Sequence, residues 1–275
     1  MTFDLSRYGA AVFDLDGTVW LSGEPIPGAV DFLERCRSLG IVVAFATNIS
    51  LESVEQIRSK LIACGLARPG ELVVTSGLAC TNAVASAGIH EVAALCSAPL
   101  QDSLRDRGIT VTPVAAIDRG DWRSPQPGRA VVMTGLPSAT LAEMETVGQL
   151  AAWGHPWYIS SKDPGFPGKH GIEPGAGMMV AAVTALHRVE PIVTGKPSPE
   201  YAGTVLDGLA GVGPVVMFGD SQRADIGLAR LLGADGVLIT GTSVTGLAPD
   251  LPSPDYVTSS LAERPVEFEG GMLHV

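Results

Sequence analysis

The chain is poor in charge, in rings and in lysine. Of its 275 residues only 17% are charged, against roughly 25% in an average protein. Aromatic residues make up 5%, which leaves few rings to stack on exposed bases. Lysine occurs only as Lys60, Lys162, Lys169 and Lys196. Lysine and arginine together number 18 against 29 aspartates and glutamates, a formal net charge of −11. A surface this acidic repels phosphate backbones and anionic lipid, which argues against DNA, RNA or a membrane as partner. Small anionic substrates stay open, because a local metal ion or helix terminus overrides the global field. No apolar run approaches the roughly 18 residues that a bilayer span needs. The opening residues Met1 to Arg7 lack the basic and then apolar order of a secretion signal. The four cysteines, Cys36, Cys64, Cys80 and Cys96, form no C-x-x-C pair and fall in apolar stretches. They read as buried free thiols of a reducing compartment, so a soluble cytoplasmic protein is expected. His90, His155, His170, His187 and His274 have no metal-ligand spacing.

What the chain does have is 46% apolar residues, with 33 glycines and 20 prolines spread without a period. That suits one large or two modest globular domains. Ala10 to Phe13, Ile41 to Ala46, Ala130 to Met133, Ile192 to Val193, Val215 to Phe218 and Val237 to Ile239 are continuous apolar runs. Such runs suit parallel strands buried on both faces. Helical patterns follow several of them. They are Pro27 to Leu39, Leu51 to Ala63 with Ser50 as N-cap, Pro199 to Leu209 with Ser198 as N-cap, and Ala224 to Leu232. Strand alternating with helix predicts an α/β fold, a doubly wound, mostly parallel, Rossmann-like core. The middle of the chain is loop-rich around Asp118 to Gly128 and has its own helix and strand candidates at Leu141 to Trp153 and Trp157 to Ser160. It reads as an inserted α/β domain over residues 78–175, with the core formed by residues 1–77 and 176–275.

Four short signals carry chemistry. In Asp14-Leu15-Asp16-Gly17-Thr18 a buried strand ends in two carboxylates at i and i+2, on the same side of the strand end. Adjacent carboxylates repel, so the pair needs a cation or shares a proton, and Mg²⁺ with its oxygen ligands is the economical partner. Thr47-Asn48 follows the second strand and precedes a helix, where a hydroxyl and free N–H groups can bind an anion. Lys196 sits between a strand and a capped helix, where an ammonium can pair with both a carboxylate and a phosphate. Gly219-Asp220 again ends a buried strand, with Asp225 at the start of the next helix. Each has a bland alternative: a solvated acidic loop, a simple N-cap, a surface lysine, a helix N-terminal acid. All four, however, fall where a strand gives way to a helix. In open α/β sheets those carboxyl edges form one crevice where ligands bind. Together they compose a phosphate-ester site.

With these residues the sequence resembles the haloacid dehalogenase superfamily of aspartate-nucleophile phosphatases, whose four motifs are matched by Asp14 to Thr18, Thr47-Asn48, Lys196, and Gly219-Asp220 with Asp225. The stretch from Asp16 to Thr47 is too short for an inserted domain, and the one from Asn48 to Lys196 is long enough. With Pro174-Gly175-Ala176-Gly177 near its end, this arrangement is similar to the NagD-like, p-nitrophenylphosphatase-like branch, which carries its cap between the second and third motifs. The sequence departs from that branch at Ile49, at Ser161-Lys162-Asp163-Pro164 and at Arg223-Ala224. The resemblance implies a Mg²⁺-dependent phosphatase of small phosphate monoesters, such as sugar or glycerol phosphates, acting through an aspartyl-phosphate. It implies Asp14 as nucleophile, Asp16 as acid and base, and Thr47, Asn48 and Lys196 on the phosphate. Asp14, Asp16 and Asp220 would hold the metal, Asp16 through its backbone carbonyl, with Asp225 as an outer partner. A cap closing over the site and a homodimer formed through the cap are further implications. Two other readings are an inactive relative that only binds ligand and a receiver-like phosphoacceptor module. The five cap arginines Arg105, Arg107, Arg119, Arg123 and Arg129 read as a solvated surface.

Overall fold

The structure, a computed structural model, describes residues 3–168, 171–241 and 248–268. The chain runs β1 (Ala10–Phe13), a hairpin β2 (Trp20–Leu21) and β3 (Glu24–Pro25), α1 (Ala29–Ser38), β4 (Val42–Thr47), α2 (Val54–Ala63), β5 (Leu72–Thr75) and α3 (Ser76–Ser86). It continues with β6 (Glu91–Leu95), α4 (Ala98–Asp106), β7 (Thr110–Pro113), β8 (Arg129–Met133), α5 (Leu141–Ala152), β9 (Trp157–Ile159), a hairpin β10 (Gly165–Gly168) and β11 (Gly171–Pro174), α6 (Ala176–His187) and β12 (Ile192–Val193). It ends with α7 (Pro199–Gly208), β13 (Val215–Gly219), a π-turn over Gln222–Ile226, α8 (Gly227–Leu232), β14 (Asp235–Ile239), β15 (Tyr256–Thr258) and β16 (Val266–Glu267).

The elements divide into two compact units. The first comprises residues 1–47, 54–74 and 196–275. Its seven-stranded sheet has the order β16-β15-β14-β13-β1-β4-β5 and is parallel except at β16. β1 is buried along its whole length, as its four apolar residues require of a central strand. Its register puts Phe13 beside Phe218 on one side and beside Phe45 on the other. The rings of Phe13 and Phe218 stack 4.9 Å apart, and Phe32 from α1 meets Phe218 edge-on at 5.2 Å. Phe3 closes on Phe218 at 6.1 Å. A chain with only seven phenylalanines thus commits five of them to one cluster under the carboxyl edge of its central strands. Because the phenylalanines share a register, the residues that follow them, Asp14, Ala46 and Gly219, also line up.

The second unit comprises residues 48–53 and 75–195. Its sheet is parallel with the order β12-β9-β8-β6-β7. One face packs on α3 and α4 through Val84, Leu100 and Leu104, and the other on α5 and α6 through Val147, Leu150, Val180 and Val183. α5 begins with a capping box between Thr140 and Glu143.

The structure moves three sequence boundaries. The second unit runs to Gly195 where the sequence suggested 175, because α6 packs on α5 and β12 pairs with β9. Ile192–Val193 is therefore an edge strand of the second sheet. α2 starts at Val54 and Ser50 does not cap it. Segment 48–53 is instead tied within the second unit, by Ser76 Oγ donating to the Asn48 carbonyl at 2.8 Å and Ser97 Oγ to the Ser50 carbonyl at 2.7 Å. The helix expected from Ala224 is a π-turn followed by a short α-helix. Of the five cap arginines, Arg105, Arg107, Arg119 and Arg123 are exposed as expected, while Arg129 is half-buried and pairs with Glu91 and Asp121. Cys36, Cys64, Cys80 and Cys96 are free, and burial pushes the Cys36 and Cys80 thiols up to about 12, so they stay protonated. Among the described residues no helix is long and apolar enough to cross a membrane. Lys169, His170 and His274 lie outside the described residues.

Phe218 is the hub of the ring cluster and has no accessible surface. Truncating it removes three ring contacts and leaves a cavity, so Phe218→Ala should destabilise the protein by about 3–5 kcal/mol, read from its urea midpoint. A loss below about 1 kcal/mol would mean that the row contributes little.

Candidate active site

The carboxyl edge of the first sheet gathers most of the sequence-predicted residues. Asp14 follows β1, and its N–H extends the ladder by donating to the Phe218 carbonyl at 2.9 Å. Beyond it the chain turns at once. Gly17 has φ +82°, a left-handed value that favours glycine. The N–H groups of Thr18, Val19 and Trp20 converge on the Leu15 carbonyl at 3.0 to 3.1 Å. Asp16, on this turn, is exposed.

β13 delivers Asp220 in the same way. A Cβ at Gly219 would sit 2.2 Å from the Asp225 side chain, so glycine is needed for Asp225 to fold back. The π-turn makes that return possible. Ser221 Oγ caps it by accepting from the Ala224 N–H at 3.1 Å, and the Asp225 carboxylate accepts from the Ser221 N–H at 2.9 Å. π-turns of this kind recur at functional sites.

Lys196 joins the two carboxylates. Its Nζ donates to Asp14 Oδ1 at 2.7 Å, to Asp225 Oδ1 at 2.7 Å and to the Ala46 carbonyl at 2.9 Å. An ammonium has three protons, and these acceptors match them. The lysine is 4% exposed and Asp225 fully buried. Burial alone would push the Lys196 ammonium down, but the Asp14 and Asp225 carboxylates outweigh it and hold the group well above the ordinary lysine range. The carboxylates go the other way. Burial raises Asp14, against the pull of Lys196. Burial, then the repulsion of Asp14 and Asp225, pushes Asp220 up to about 8, and burial, then Asp14, also raises Asp225.

One oxygen from each of Asp14, Asp220 and Asp225 lies within 4.8 Å of the other two. Three carboxylates face one ammonium, so the cluster lacks positive charge. A hard divalent cation taking oxygen ligands supplies it, and the donor set fits such an ion. Among the described residues no other trio of histidine, cysteine, aspartate or glutamate gathers this closely. Asp225, expected as an outer partner, lies close enough to complete the trio, but both its oxygens already accept from the protein, Oδ1 from Lys196 and Oδ2 from the Ser221 N–H.

Thr47 ends β4 and is 3% exposed. Asn48, the next residue, belongs to the second unit, where its amide nitrogen donates to Asp163 Oδ2 at 3.0 Å. Ser161 Oγ donates to the same oxygen at 2.8 Å. Two participants had no functional signal in the sequence. Asp163 stood out only as part of a departure from the family pattern, and Tyr201 reads as an ordinary apolar position of α7. The phenol of Tyr201 donates to the carbonyls of Thr47, at 3.0 Å, and Val74, at 2.7 Å.

The chain is similar to known proteins in sequence and in fold. A family model described as haloacid dehalogenase-like hydrolase matches residues 11–110, and a HAD-hydrolase-like model matches residues 193–264. The 5'-nucleotidase YutF of Bacillus subtilis is 26% identical over 94% of this chain and 98% of its own length. The sugar-phosphatase AraL of the same organism is 29% identical over 95% of this chain and 94% of its own. A crystal structure of glycerol phosphate phosphatase from Mycobacterium tuberculosis in complex with magnesium has the same fold, with a TM-score of 0.79 at 24% identity, over 95% of this chain and 78% of that one.

The raised carboxyls give a pH signature. A carboxyl whose folded-state value lies above its unfolded value stabilises the fold while protonated, and that stability is lost as pH rises through the folded value. For Asp220 the window runs from about 4 to about 8. A divalent cation replaces the missing charge, so it should raise the melting temperature more at pH 8 than at pH 5. Equal shifts at the two pH values, in a thermal scan with Mg²⁺ and with EDTA, would remove the trio as the binding site.

Proposed function

Because the chain belongs to the haloacid dehalogenase-like hydrolases, we propose that its first-unit site, like the NagD-like branch its sequence resembles, hydrolyses a small sugar or polyol phosphate monoester through an aspartyl-phosphate. The enzyme class is phosphoric monoester hydrolase. The observation that carries the reading is the Asp14 carboxylate, held at one oxygen by a buried lysine inside an acidic trio that calls for a cation.

The chemistry follows from these groups. Lys196 fixes Asp14 Oδ1, which leaves the other oxygen to attack phosphorus. The P–O bond to Asp14 forms as the bond to the leaving alcohol breaks. Asp16 gives its proton to the leaving oxygen. It then takes a proton from the water that attacks the aspartyl-phosphate, which releases phosphate and restores Asp14. Asp16 is exposed on its turn, a position suited to exchanging protons with substrate and water. Thr47, the last residue of β4, binds the phosphoryl oxygens, and Lys196 adds its charge. Asp225 holds Lys196 in place from beneath. Mg²⁺ would be held by Asp14 and Asp220 with the Asp16 carbonyl, and when bound it offsets the repulsion between two anions that must meet.

The relatives' names bear on the substrate, since one is a sugar-phosphatase and another a glycerol phosphate phosphatase. A nucleotide, the substrate named for YutF, is the second reading.

The test is phosphate release from sugar, polyol and nucleoside monophosphates, with Mg²⁺ and with EDTA. Release should need Mg²⁺ and should fall at least roughly 10³-fold in Asp14→Asn. The highest kcat/KM should come from a sugar or polyol ester. Undiminished turnover in Asp14→Asn would refute the mechanism, and a preference for nucleotides would refute the substrate class.

A further inference from the structure

Tyr201 stands five positions after Lys196 and is wholly buried. Ser198 Oγ accepts its backbone N–H at 3.1 Å, which fixes the start of α7 beneath it. Its phenol reaches two carbonyls at once, Val74 at 2.7 Å and Thr47 at 3.0 Å. A phenol has one proton, so the two acceptors share it. Burial pushes the phenol up, which keeps it a neutral donor. A tyrosine buried for packing needs one acceptor for its hydroxyl. This one bridges the carboxyl ends of two adjacent strands.

Those two carbonyls have a particular place in the chain. Thr47 and Val74 are the last residues of the first unit before the chain passes into the second, and Lys196 is the first after its return. Lys196 holds the Ala46 carbonyl, and Tyr201 holds the Thr47 carbonyl. The two peptide planes that flank the Thr47 Cα are therefore both anchored by the returning segment. Peptide planes are rigid, so anchoring both fixes the φ and ψ of Thr47 and with them its Cα–Cβ bond, from which the restricted χ1 of a β-branched side chain places the hydroxyl.

We propose that Tyr201 is a positioning residue for the hydrolysis: its hydroxyl locks the backbone at Thr47 and so aims the threonine hydroxyl at the transferring phosphoryl group. The proposal rests on the phosphatase reading above. Tyr201 acts through Thr47 and touches no reacting atom.

The test is Tyr201→Phe, which removes one oxygen and keeps the ring. Wild type and variant are compared for kcat, KM and inhibition by orthovanadate, an analogue of the phosphoryl group in transfer. In the variant kcat should fall roughly tenfold and the vanadate inhibition constant should rise by the same factor, with KM within about twofold, since the lost alignment matters most in the transition state. A purely structural phenol would lower the melting temperature and the fraction of active enzyme but leave the vanadate constant of the folded molecules unchanged, and that result overturns the proposal. If neither Tyr201→Phe nor Tyr201→Met folds, the hydroxyl serves stability and the proposal also fails. Failure of the phosphatase reading would appear in the wild type, as absent turnover, and would take this proposal with it. Failure of the proposal alone would appear only in the variants.

Discussion

The buried ammonium of Lys196 is the interaction on which the first unit's site depends. It meets Asp14, Asp225 and the Ala46 carbonyl within 2.9 Å. A charge in this environment is stable only when paired and fully hydrogen-bonded. The three partners come from three strand ends, β1, β4 and the turn after β13, so the lysine fixes their relative positions as well as their charge. It compensates only part of the acid that faces it. The remainder is what makes the site a place for a cation, and what raises Asp220.

The scarce aromatic residues serve that geometry. Phe13, Phe45 and Phe218 lie side by side in register, and the residues after them are Asp14, Ala46 and Gly219. An apolar row thus sets the level at which the polar row begins. A slip of either strand would part the stacked rings of Phe13 and Phe218, so the stack that stabilises the sheet also indexes the site. Gly219 shows how tight the tolerance is, since the space a Cβ would need is taken by the Asp225 carboxylate.

The second unit depends on the same kind of sheet but is entered and left at short, polar segments. Ser76 and Ser97 hold the carbonyls of segment 48–53. Asp163 accepts from Asn48 and from Ser161. These bonds draw a stretch that the sequence pattern assigned to a helix N-terminus into the second unit. They connect residues distant in sequence, which no local propensity reports.

Much of the site was legible because its chemistry is local. A carboxylate after a buried apolar run, a glycine beside it and a helix cap a few residues on are written in consecutive letters. They named Asp14, Thr47, Lys196, Asp220 and Asp225, and the alternation of strand and helix implied that they share one edge. The continuous apolar runs likewise located β1, β4, β8 and β13 to within a residue or two, since burial on both faces leaves no alternation to misread. What the tertiary structure decided are the pairings. Only folding shows that the Asp225 carboxylate folds back beside Asp14 and Asp220, that Ile192–Val193 joins the second sheet, and that Tyr201 spans two strand ends. Each depends on which segments lie beside one another after the chain has twice left the first unit and returned. That is set by packing between residues far apart in sequence, so composition and periodicity carry no record of it.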